Sequence, residues 1–77
     1  MTYAEMKTID DAWHALLVAQ FGDDGAIVTR YYARAAAVAG KAPPPMNDAC
    51  LQSYDAYKAA RALYWAPGNA ANRVKLA

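Results

Sequence analysis

Three breaks rich in glycine and proline divide this 77-residue chain, and they constrain its fold more than any other feature. They cover residues 22–25, 40–45 and 67–69. Glycine and proline at such positions end helices and begin turns. No segment between the breaks alternates polar and apolar residues with the period of two expected of a half-buried strand. The sequence therefore predicts an all-α fold, a three-helix bundle.

The first predicted helix runs from about Thr8 or Ile9 to Phe21. Thr8 is a suitable N-cap, and Gly22 can take the left-handed conformation that closes a helix. Residues 2–5 have the spacing of a capping box and predict a separate short turn before it. Five apolar residues recur on one face, which predicts the side that enters the core: Ile9, Trp13, Leu16, Leu17 and Phe21.

The second predicted helix covers residues 24–39 and is closed by Gly40. Two adjacent apolar stripes leave only a narrow arc for solvent, so we expect a central helix that is covered on more than one side. The first stripe is Ile27, Tyr31, Ala35 and Val38, and the second is Val28, Tyr32, Ala36 and Ala39. The residues left for solvent are Thr29, Arg30, Ala33, Arg34 and Ala37.

Three consecutive prolines, residues 43–45, predict a polyproline linker between helices 2 and 3, because proline cannot continue a helix. Asn47 can then cap a third helix from Asp48 to about Trp65, which Pro67 and Gly68 terminate. We expect residues 1–68 to form a single helical domain. Residues 69–77 would form a C-terminal tail that is either a short helical turn or frayed.

Large aliphatic side chains are scarce in this chain. Val, Ile, Leu and Phe together account for 12 of 77 residues, so the nine aromatic residues must supply much of the core. The only cysteine, Cys50, can form no disulfide within the chain and favours a reducing, cytoplasmic location. No apolar run approaches the ~20 residues that span a bilayer, so we expect no membrane association.

Catalysis finds little support in the sequence. His14 follows Asp10 by four residues, but no nucleophile or catalytic motif accompanies this pair. Asp10, Asp11 and His14 could supply at most three metal ligands, one fewer than a structural zinc site requires. Asp23 and Asp24 begin no complete calcium loop. We therefore expect no enzyme activity, no metal and no cofactor.

Nucleic-acid binding is the alternative function. Arg30 and Arg34 share one predicted helix face, and Lys58 and Arg61 lie close together on another, with aromatic residues nearby. Useful binding usually needs about 6 to 10 phosphate contacts. The seven basic residues within residues 25–77 are spread over two predicted helices and a tail, so they could hardly all face one duplex. Nucleic-acid binding is therefore the second hypothesis, after protein binding.

Protein binding is the function that the sequence favours. Tyr, Trp and Arg dominate interface hot spots, and they lie together along the third predicted helix as Tyr54, Tyr57, Arg61, Tyr64 and Trp65, with Arg30 and Arg34 on the second. The alternative is that the tyrosine stripe packs on the first helix as core. Three helices offer more apolar faces than one bundle axis covers, so we expect leftover apolar surface.

The sequence therefore predicts a small non-catalytic module that docks on a larger protein. It would act as an inhibitor or accessory subunit, of the kind encoded by phages and mobile elements. A homodimer formed through the same surface is the competing interpretation.

Overall fold

The computed structural model describes residues 1–72, with side chains described as far as residue 69. It contains a helix α1 (Tyr3–Ala39), a helix α2 (Asp48–Trp65) and a 3-10 helix (Pro67–Asn72). The end of the predicted C-terminal tail, residues 73–77, lies outside the described residues.

Helix α1 is bent sharply at Gly22. This residue has φ 77° and ψ 177°, a conformation essentially confined to glycine. A straight helix of 37 residues would be about 55 Å long, whereas the longest dimension of the molecule is 36 Å. The bend therefore folds α1 back on itself as a first arm (residues 3–21) and a second arm (residues 23–39).

The prediction of a three-helix bundle is wrong. The first and second predicted helices form one element, α1, because the helical pattern continues on both sides of the single non-helical residue Gly22. The fold is all-α in residues 1–72, with two helices and a 3-10 turn. The proline segment, residues 41–47, has no regular secondary structure and joins α1 to α2.

The beginning of α1 also differs from the prediction. The capping box of Thr2 and Glu5 is present, but it starts α1 itself instead of a separate short turn. Thr8 is an interior helical residue whose hydroxyl donates to the Ala4 carbonyl at 2.9 Å, so it is not an N-cap. A capping box of this kind satisfies two backbone N–H groups that an open helix end would leave exposed.

The other helix ends follow the sequence. Gly40 closes α1 with φ 68°, in the left-handed region. The Asn47 side chain accepts a hydrogen bond from the Cys50 N–H at 2.8 Å, and α2 runs from Asp48 to Trp65 as predicted. Local capping chemistry is therefore sufficient to fix these boundaries.

The core is built on aromatic residues of the first arm and α2. Trp13 is completely buried, and its ring centroid lies 5.3 Å from that of Tyr54 and 4.7 Å from that of Tyr57. Leu17 is also fully buried, and the predicted stripe residues Ile9, Leu16 and Phe21 pack against this cluster. The predicted core face of the first arm is therefore confirmed.

The second arm is oriented opposite to the prediction. Ala26 and Ala33 are fully buried and Ala37 is half-buried, whereas Tyr31 and Val38 remain 69% and 84% exposed. The arm is thus not a central helix covered on several sides. The rings of the core already fill much of the space beside it, so small alanine side chains face the core, together with Arg30, which lies over the Trp13 ring.

Hydrogen bonds from α2 fix both arms of α1. The Tyr54 hydroxyl donates to the Ala33 carbonyl of the second arm at 3.0 Å. The Cys50 thiol donates to the Leu16 carbonyl of the first arm at 3.3 Å. Both donors are buried, so these bonds satisfy groups that would otherwise be costly to remove from water.

Candidate functional site

Most of the large apolar side chains that the structure leaves exposed belong to the second arm of α1. Five residues of this arm are each at least 55% exposed, and together they define what we call the outer face: Ile27, Val28, Tyr31, Tyr32 and Val38. Single exposed apolar residues are ordinary on a protein surface, but a contiguous group on one helix indicates an interaction site.

A groove lies between the second arm and α2, beside the outer face. It has a volume of about 860 Å³. The second arm contributes Tyr31, Arg34 and Val38, and α2 contributes Lys58, Arg61 and Trp65. The lining also includes Ala35, Ala37, Ala62 and the buried Tyr57. We call this feature the cationic groove.

The walls of the cationic groove combine apolar surface with positive charge. Trp65 is 55% exposed, and Arg34 and Arg61 are exposed side chains on opposite walls. Neither arginine forms an ion pair within the part of the chain that the structure describes. Lys58 lies 3.4 Å from Asp55, although both side chains are largely exposed, so water weakens this pair.

No carboxylate lines the cationic groove among the described residues. Most acidic residues lie before residue 25: residues 1–24 have a formal charge of −4 and residues 25–77 of +5. The groove is built from the second arm and α2, so it takes its charge from the basic part of the chain. It would therefore attract an anionic group on a ligand or partner.

Three of the sequence-predicted binding residues are in the core. Tyr54, Tyr57 and Tyr64 are exposed by only 1%, 4% and 3%. The tyrosine stripe thus packs inside the molecule, which was the alternative that the sequence left open. Burial raises the pKa of the Tyr54 hydroxyl. With so little exposed surface, these rings can contribute little to contact with a partner while the domain is folded.

Arg30 is engaged inside the fold as well. One of its guanidinium nitrogens lies 2.7 Å from Asp10 Oδ2, and its Cζ atom lies 5.3 Å above the Trp13 ring. The arginine side chain is only 20% exposed. Of the seven predicted binding residues, Arg34, Arg61 and Trp65 line the cationic groove as exposed side chains, and the buried Tyr57 lies in the same lining.

Tyr31 and Val38 were not among the predicted binding residues. Both were predicted to lie in a buried stripe, because Tyr31 follows Ile27 by four residues and Val38 follows Tyr31 by seven, a spacing typical of a core-facing helix. One signal did point toward them, namely the excess of apolar faces on this segment. The leftover apolar surface expected from that excess is observed on the outer face.

Cys50 lies in the core and not at an open site. Burial raises the pKa of the Cys50 thiol, which keeps it protonated and poorly nucleophilic. Its hydrogen bond to the Leu16 carbonyl occupies the thiol proton. Within residues 1–72, no three His, Cys, Asp or Glu side chains lie close enough together to hold a metal ion.

Neither described helix is both long and apolar enough to cross a membrane. Comparison with protein-family models, with curated proteins and with solved structures gives no match to this chain.

Proposed function

We propose that this chain is a small non-catalytic module that docks on a larger protein, as its inhibitor or accessory subunit. The observation that carries the proposal is the orientation of the second arm. The arm buries alanines and exposes Tyr31, Val38 and three other large apolar residues to water. A partner that covers these side chains would recover the hydrophobic free energy that the isolated fold leaves unused.

The amount of exposed apolar surface supports a polypeptide partner over a small molecule. Small-molecule sites are usually concave and enclose most of their ligand. The walls of the cationic groove are open to solvent instead, since Tyr31 is 69% exposed and Val38 is 84% exposed. Only a partner with an extended surface could cover both residues together with Trp65 on the opposite wall.

Nucleic-acid binding has weaker support. Of the four cations considered for it, Arg34, Lys58 and Arg61 line the groove, whereas Arg30 is paired with Asp10 inside the fold. Three groove cations fall well short of the roughly 6 to 10 phosphate contacts that give useful affinity. Retention on heparin that falls steeply as salt is added would favour this alternative.

Site-specific photocrosslinking in living cells of the source organism would test the proposal. A benzophenone amino acid is placed at position 31, on the outer face, or at the exposed control position 52 of α2. We expect illumination at position 31 to give one discrete adduct with another protein, identified by mass spectrometry. Position 52 should give none.

Two results would contradict the proposal. The same adducts at both positions would mean that contact with the outer face is not selective. An adduct containing only two copies of this chain would indicate a homodimer in place of a docking module. If a partner is found, Val38→Gln should weaken its binding in vitro, whereas Gln52→Ala should have no effect.

A further inference from the structure

We propose that the cationic groove binds an amphipathic helix of the partner, with acidic side chains flanking its apolar stripe. This inference rests on the proposed docking function and specifies the chemistry of the partner. It joins two observations: apolar side chains line both walls, and Arg34 and Arg61 face the groove from opposite helices. Each observation restricts the partner independently.

A helix suits the groove better than an extended strand. Strand addition requires the open edge of a sheet, and residues 1–72 contain no strand. The groove instead has a helical wall on each side, formed by residues 31–38 and 57–65. These walls are about 10 to 12 Å long, enough for about two turns of a bound helix, which would place apolar anchors at i, i+3, i+4 and i+7.

The charge of the walls selects acidic flanks for this helix. The guanidinium groups of Arg34 and Arg61 have no ion-pair partner among the described residues. Arginine pairs with carboxylates through two parallel hydrogen bonds, and such bonds are stronger than neutral ones. A helix with Asp or Glu on both sides of its apolar stripe could therefore pair with both walls.

A second copy of this chain fits the groove poorly. The first arm carries Asp11 on its exposed surface, but it exposes no large apolar residue within the described part of the chain. The second arm exposes large apolar residues and the acids Asp23 and Asp24, but it also carries Arg34 and would bring like charges together. Helix α2 exposes Asp55 and Leu63, but it also carries Arg61. A second copy would therefore bring cations of its own toward the groove.

Selection from a phage-displayed library of 18-residue helical peptides would test the inference. The library varies the apolar stripe and its flanks, and the bait is the full chain. We expect selected peptides to carry Asp or Glu beside an apolar i, i+3, i+4, i+7 pattern. A selected peptide labelled with fluorescein should bind at least tenfold more weakly when its acids are replaced by lysine.

Charge reversal on the protein provides the matched experiment. In fluorescence anisotropy, the Arg34→Glu and Arg61→Glu double variant should lose at least tenfold in affinity for the acidic peptide. It should instead prefer the peptide with lysine flanks. Lys41→Glu removes an exposed cation outside the groove and should change the affinity less than twofold. Circular dichroism establishes that each variant is folded.

The result that would overturn the inference is specific. If no acidic pattern is enriched, or if affinity does not change with charge reversal, the groove does not select an acidic helix. A crosslinked partner at position 31 would then still support the docking function, so the two failures are distinguishable. Light scattering that shows a dimer disrupted by Val38→Gln would instead identify a second copy as the occupant.

Discussion

Arg30 of the second arm forms a partly buried ion pair with Asp10 of the first arm, across the bend of α1. The distance from its guanidinium nitrogen to Asp10 Oδ2 is 2.7 Å, and the two side chains are 20% and 22% exposed. The guanidinium also lies within 6 Å of the Trp13 and Tyr57 ring centroids. It therefore connects both arms of α1 to the aromatic core through charge and cation–π contacts.

Removing Asp10 should destabilise the fold more than removing its neighbour Asp11. Asp10→Ala leaves Arg30 partly buried without its carboxylate. We expect the free energy of unfolding to fall by about 1–3 kcal/mol, which is between the effects of breaking an exposed ion pair and a fully buried one. Asp11→Ala breaks only the exposed pair with Lys7 and should cost less than about 0.5 kcal/mol. Urea unfolding followed by circular dichroism measures both, and equal losses would contradict the role of the Arg30 pair.

The orientation of the second arm can be tested by adding the same side chain to its two faces. Ala33→Gln forces a larger polar group into a fully buried position and should cost at least about 2 kcal/mol. Val38→Gln changes a residue that is 84% exposed and should change stability by less than about 0.5 kcal/mol. Thermal unfolding of both variants gives the comparison, and a larger loss for Val38→Gln would mean that the arm is turned the other way.

The bend of α1 depends on glycine at position 22. Because its φ of 77° and ψ of 177° are strained for any residue with a Cβ atom, Gly22→Ala should reduce the free energy of unfolding by roughly 1–3 kcal/mol. A Cβ atom there would meet no other atom, so the cost comes from the backbone alone. Gly68→Ala is the control, since Gly68 has open space and no positive φ. Equal chemical-denaturation midpoints for the two variants would show that the bend tolerates alanine.

Alkaline pH should weaken the fold through Cys50. Burial raises the pKa of its thiol, so the folded state holds this proton more tightly than the unfolded state does. The stabilisation is therefore complete below the unfolded pKa of about 8.5 and is lost as the pH rises through the higher folded value. Burial also raises the pKa of Tyr54, so its ionisation should cause a further loss of stability above about pH 10.

Urea midpoints measured from pH 7 to pH 11 would show this decline. Cys50→Ala should be less stable at pH 7 because it loses buried contacts, yet its midpoint should fall less between pH 8 and pH 10. Tyr54→Phe should keep the earlier part of the decline and flatten the later part. Parallel curves for the wild type and Cys50→Ala would show that the thiol does not contribute to the pH dependence.

Local signals in the sequence predicted the end of α1 and both ends of α2, but not the start of α1. The side chain of Asn47 and the conformational freedom of Gly40 act within a few residues, so they need no knowledge of the rest of the fold. The core-facing side of the first arm was also predicted correctly, because polar residues lie on the side of the helix opposite the apolar stripe of Trp13 and Leu17. The bend was harder, since a break at residues 22–25 is compatible with either a loop or a single non-helical residue.

The candidate site was predicted only in part. Arg34, Arg61 and Trp65 do line the groove, but Tyr54, Tyr57 and Tyr64 had the composition of an interface and are core. Tyrosine suits either place, because its ring is apolar and its hydroxyl can pair with a buried carbonyl, as Tyr54 does with Ala33. Burial of such residues depends on which neighbours reach them, and a single helix does not encode that.

The sequence by itself determined that this chain is helical, where α1 ends, where α2 begins and ends, and which face of the first arm enters the core, because capping and clear periodicity are local properties. Only the tertiary structure decided which side of the second arm meets water. Hydrophobic periodicity favoured burial of Tyr31 and Val38, because the pattern of one helix contains no information about the neighbours that cover it. The Trp13, Tyr54 and Tyr57 rings already occupy the core, so the arm turns the small side chains of Ala26 and Ala33 inward, with Arg30 over the Trp13 ring, and Tyr31 and Val38 stay outside.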